Sequence, residues 1–178
     1  MSLPLRKPEL WRVALLVLVL AGITWLGGSH VRAVIGNHLL RPGTLEFAEE
    51  LSPEAQREVF RLLSFTSFSV LGSYLLVLVS GTIFLATTPL RMRENGWLMM
   101  SAILFYLFVP LELYLIYLDG RMMYYEFFTT AGNETFRELF HARLSTLAGL
   151  PYIATLCYYT VVALAVLQPF RRSPGAAS

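Results

Sequence analysis

Four stretches of this chain are long and apolar enough to cross a lipid bilayer, and nothing else in the sequence constrains the fold as strongly. They are Val13–Ser29, Phe65–Thr87, Trp97–Leu118 and Leu147–Leu167. A spanning helix needs about 20 mostly apolar residues to bridge a hydrocarbon layer roughly 30 Å thick. All four must be helices, because lipid offers no partner to a backbone amide and four strands cannot close a barrel. Composition agrees: 56% of the 178 residues are hydrophobic and only 15% are charged, against about 45–50% and ~25% in soluble domains. An ordinary soluble domain and a disordered chain are excluded. A net charge of +2 is too small for a nucleic-acid footprint. With Cys157 the lone cysteine, there is no internal disulfide, CxxC pair or cysteine-based zinc cluster.

The expected fold is therefore an all-α integral membrane protein. Four transmembrane helices form an up-down bundle, in a single membrane domain over residues 1–178, with helical extensions on the outer side from segments 30–64 and 119–146. The first span could also be read as a secretory signal, since Arg6, Lys7 and Arg12 precede its apolar core and Val31-Arg32-Ala33 resembles a cleavage site. The three further spans favour a retained helix. Orientation follows the density of basic residues at span ends. The N-terminus, the 88–96 turn and the C-terminus carry Arg6, Lys7, Arg12, Arg91, Arg93, Arg171 and Arg172 against Glu9 and Glu94, whereas the two long loops carry seven arginines against nine acids. Both termini are expected on the cytoplasmic side of a bacterial inner membrane, with Trp11 and Trp97 as interfacial anchors there.

The outer segments read as helices that continue beyond the lipid. Ser52-Pro53-Glu54 offers an N-cap residue, a proline for the first turn and an acid beside it. A helix from Pro53 to about Thr88 would be roughly 54 Å long. Asn133-Glu134 offers a similar start for the fourth helix, in which Pro151 is expected to make a kink and release the carbonyl of Leu147. Shifting the chain by 80 residues aligns Arg41 with Arg121, Glu46 with Glu126, Phe47 with Phe127, Glu54 with Glu134, Arg57 with Arg137, Glu58 with Glu138 and Phe60 with Phe140. A duplication would make the protein two tandem helical hairpins.

Glu112 is the sharpest chemical feature. A carboxylate at membrane depth is costly, so it should face protein or a water-filled cavity, and it is a functional candidate by default, as a proton relay, an ion ligand or a hydrogen-bond partner of a quinone or substrate. A structural ion pair with Arg121 or Arg143 is the competing role. The candidate catalytic set is Glu112, Asp119, His141 and Arg143. Glu138 and His141 have the Glu-x-x-His spacing of bundle metal sites, but the second copy that a di-iron centre needs is missing, since Arg61 occupies the position equivalent to His141. A mononuclear site built from His30, His38 and His141 with Asp119 or Glu138 is the remaining metal option, but solvated or interfacial histidines are the expected reading, and no metal or cofactor is expected. Ser69, Ser73, Ser80 and Gly81, with Ala148, Gly149, Thr155 and Thr160, fit close helix packing in lipid. The tyrosines from Tyr114 to Tyr159 fit interfacial belts and bundle core.

These features point first to a non-catalytic accessory or scaffold subunit. Its partners would be the bilayer and a protein partner or second copy engaged through the membrane helices and outer extensions. A small oligomeric transporter or ion-conducting protein using Glu112 is the alternative, and a lipid- or quinone-handling enzyme or redox subunit at the outer interface is a further one.

Overall fold

The computed structural model describes residues 9–145 and 149–170. Among these the regular structure is helical apart from one isolated antiparallel bridge between Leu40 and Phe47, with turns and loops between the helices. The helices are α1 (Leu10–Asn37), α2 (Pro53–Thr87), α3 (Gly96–Leu107), α4 (Val109–Phe128), α5 (Asn133–Ser145) and α6 (Leu150–Leu167). Four segments are long and apolar enough to span a membrane: α1, α2, Gly96–Phe128 and α6. The chain divides into two compact units. One holds α1, α2 and Tyr125–Asn133; the other holds Pro89–Tyr124 and the chain from Glu134 onward.

In the first unit α1 and α2 form an antiparallel pair. Leu18 meets Gly81, Trp25 stacks on Tyr74 at 5.0 Å, and Gly28 lies against Val70, so contact positions fall along α2 as they rise along α1. The sequence builds this seam with a 3.5-residue period. Gln56, Phe60, Leu63, Ser67, Val70, Tyr74, Val77 and Phe84 are all buried on α2, with Gly81 completing the series. Alternating steps of three and four residues keep one stripe facing a supercoiled neighbour. On α1 the matching stripe is mostly small: Ala14, Ala21 and Gly28 beside Trp25. A Cβ at Gly28 would sit 3.0 Å from Val70 Cγ2, so the missing side chain lets the backbones approach.

The turn between them is closed by Arg41 N–H to Glu46 O and Ala48 N–H to Leu39 O, both 2.9 Å, with Gly43 at φ +78° at its tip. Ser52 caps α2 as expected, its Oγ accepting from Ala55 N–H at 3.2 Å with Pro53 behind it. At 35 residues this helix is roughly 52 Å long and overruns the hydrocarbon by several turns.

Three boundaries differ from expectation. Helix α1 continues to Asn37, so residues 30–37 belong to it and not to the outer loop. The third span is not one helix ending at Leu118. It breaks at Phe108 (φ −96°, ψ 0°) and runs on to Phe128. Pro110 explains the break, because it has no N–H for the carbonyl of Tyr106. The fourth helix does not run from Asn133 through a kink at Pro151. It is two helices, and Pro151 lies in the first turn of α6, where its missing N–H costs nothing. Gly149, at φ +93°, turns the chain into α6, a conformation that glycine adopts readily. Leu147 lies outside the described residues. Finally, Asn133 opens α5, but its Nδ2 donates to Pro53 O at 2.8 Å. That bond joins residues 80 apart within the first unit.

In the second unit, Gly96 meets Phe170, Phe105 and Phe108 meet Tyr158, and Asp119 meets Arg143. The order again falls as it rises, so α3–α4 runs antiparallel to α5–α6. Trp97 is buried at 7% exposure within the protein and is not a lipid-facing anchor. Trp11, half-buried, is the one that fits that role, with Arg12 stacked 5.0 Å over its ring.

Candidate functional site

The buried stripe of the α3–α4 segment also has a 3.5-residue period, through Leu98, Ser101, Phe108, Leu115 and Met122. Glu112, Asp119 and Glu126 fall on the same stripe at seven-residue intervals, roughly 10 Å apart along the axis. Each acid has its own partner. Tyr158 Oη on α6 donates to Glu112 Oε1 at 3.1 Å. Arg143 Nε on α5 donates to Asp119 Oδ1 at 2.9 Å, with the Asp119 side chain 7% exposed. In the first unit, Arg57 on α2 pairs with Glu126 at 2.8 Å.

The second unit therefore brings together three of the four residues proposed as chemically active. Glu112 lies within electrostatic reach of both Arg143 and Asp119, and its first-turn position in α4 follows from the Phe108 break. Tyr158 is 4% exposed, and Phe105 and Phe108 pack against its ring at 6.0 and 6.2 Å. This aromatic packing fixes the hydroxyl over the carboxylate. A tyrosine hydroxyl at this depth needs an acceptor, and the acid supplies one.

His141 is not part of this arrangement. It lies two residues before Arg143, about 200° round the α5 axis, and is exposed, as are Glu138, His30 and His38. The buried face of α5 is Phe136, Leu139 and Phe140. Among the described residues no three His, Cys, Asp or Glu side chains approach closely enough to hold a metal ion. Sequence reasoning missed Tyr158 and Glu126. The seven-residue step from Glu112 through Asp119 would have found Glu126. Tyr158 carried no local signal, since nothing distinguishes it from its neighbour Tyr159 except the face it occupies.

The small polar residues of α2 serve packing. Ser64, Ser67, Ser73 and Ser80 are buried, and each hydroxyl donates to a carbonyl in the preceding turn of its own helix. Their protons are committed to the backbone, and their small size lets α1 close in. Ser69 is exposed and, with Ser73, borders a groove of about 430 Å³ lined by Val17, Thr24, Phe68, Gly72 and Leu76 among others.

Comparison with known proteins places the chain in a family. A family model described as a predicted integral membrane protein, DUF2269, matches residues 46–169. No curated protein and no solved structure matches the chain.

Proposed function

The chain belongs to the DUF2269 family of predicted integral membrane proteins, and from that premise we propose that it is a non-catalytic accessory or scaffold subunit of a membrane complex. The reading rests on one observation above all: the two polar clips of the second unit, Tyr158–Glu112 and Arg143–Asp119, join neighbouring helices to one another. Groups engaged in this way hold α5 and α6 against α4. The groove on the flank of α1 and α2 gives a partner's membrane helix a place to pack, with Gly72 and Ser69 permitting close approach. The membrane is taken to be a bacterial inner membrane with both chain ends on the cytoplasmic side, on the strength of the basic density at those ends.

Purification in mild detergent after chemical crosslinking in the native membrane tests the proposal. One defined partner, or a homo-oligomer of fixed size, should co-purify in constant ratio, and Glu112→Gln should leave that ratio unchanged. Recovery of the lone monomer from crosslinked membranes would overturn it.

A second reading, conduction of protons or cations through Glu112, is favoured by the half-buried position of that carboxylate beside Asp119. It requires flux in proteoliposomes that Glu112→Gln abolishes. The same variant therefore separates the two readings.

A further inference from the structure

The turn that leads into α3 carries four consecutive exposed residues in which apolar and basic side chains alternate: Leu90, Arg91, Met92 and Arg93. It is a rigid turn. The carbonyl of Arg91 accepts from Glu94 N–H at 3.0 Å, Asn95 N–H at 3.1 Å and the side-chain Nδ2 of buried Asn95 at 3.0 Å. Leu90 and Met92 are 37% and 39% exposed, and the span begins immediately afterwards at Gly96. Phe170 joins the patch from the far end of the same unit. Its backbone, at φ +62°, brings it so close to Gly96 that a Cβ there would lie 3.1 Å from its own, while its ring stays exposed. Glu94 offsets part of the charge by pairing with Arg91 at 3.3 Å, and Arg93 is exposed.

The geometry points to this turn as a site for the headgroup of an anionic phospholipid, an inference that goes beyond the scaffold reading and does not depend on it. At the start of a span, the hydrocarbon boundary and the phosphate layer lie within a few ångströms of each other. Leu90, Met92 and Phe170 suit the acyl side of that boundary. The long arginine stems reach back to the phosphates, which a planar guanidinium binds through two parallel hydrogen bonds. A turn already held by three bonds to one carbonyl loses little freedom when the lipid arrives.

The test uses the full chain in a neutral detergent, with thermal unfolding followed as lipid is added. Phosphatidylglycerol should raise the unfolding temperature at low salt and do so less at high salt, while phosphatidylcholine and inorganic phosphate at matched concentration should not. Each of Arg91→Gln and Arg93→Gln should weaken the apparent affinity for phosphatidylglycerol about fivefold. Arg12→Gln, at a span end in the other unit, should leave it unchanged. Arg93 makes no bond to the turn, so Arg93→Gln keeps the fold and carries the test if the Arg91 variant does not fold. Full affinity in Arg93→Gln, equal stabilisation by phosphatidylcholine, or an equal effect of inorganic phosphate would overturn the assignment.

Discussion

Tyr158 and Glu112 form a pair whose two halves are unequal. Removing the donor by Tyr158→Phe leaves a carboxylate without its hydrogen bond in a low-dielectric setting, whereas Glu112→Gln keeps an acceptor in place. Hydrogen bonds between membrane helices average about 0.6 kcal/mol, and an orphaned buried group costs about 1–3 kcal/mol. Tyr158→Phe should therefore destabilise the protein by about 1 kcal/mol or more and Glu112→Gln by less, as read from unfolding in detergent. The reverse order would show that the carboxylate charge, and not the hydrogen bond, matters at this position. Gly28 permits a comparable test of packing. Gly28→Ala forces its new methyl against Val70 and should cost about 1–2 kcal/mol. Val70→Ala added to it should restore part of that loss, while Gly22→Ala, with open space at its Cβ, should cost nothing.

At the scale of elements, α5 is joined to α4 by one partly buried ion pair. Breaking such a pair on one side leaves the other charge uncompensated, so Asp119→Ala or Arg143→Ala should each cost about 1–3 kcal/mol, below the fully buried case because Arg143 keeps some solvent. The double variant should cost less than the sum of the two, and a double-mutant cycle on amide exchange in α5 would measure the difference. Simple additivity would mean that the pair contributes nothing. Gly149 sets the entry into α6 at a positive φ. Gly149→Ala should cost about 1 kcal/mol, seen as a lower unfolding temperature with unchanged helix content by circular dichroism. These elements also mark the limits of periodicity. The start of α2 was legible in Ser52-Pro53-Glu54 because a cap is local chemistry. The break at Phe108 and the true place of Pro151 were not, because a proline can end a helix, kink it or begin it, and the choice depends on where the neighbouring helix needs the chain to turn.

For the molecule as a whole, the crossing number governs everything else. In a Cys157→Ser background, single cysteines at Thr44 and Asn133 should react with an impermeant maleimide from one side of the membrane, and a cysteine at Glu94 only from the other. Labelling of Thr44 and Glu94 from the same side would contradict four crossings. Helices α2 and α3–α4 are both long enough to carry several turns out of the lipid, so amide exchange should be fast in those turns and slow in the spans. The 80-residue offset between the starts of α2 and α5 is a feature that a duplicated hairpin would produce.

The amino-acid sequence determined the solvent in which the chain folds, the number of helices that cross it and the place where the longest one begins. Those properties follow from summed transfer free energies and from side chains that bond to their own backbone, both local quantities. Which acid meets which partner was decided only in three dimensions. Glu112 found Tyr158 and Asp119 found Arg143 because the turns at Phe108 and Gly149 set the angular positions of three helices.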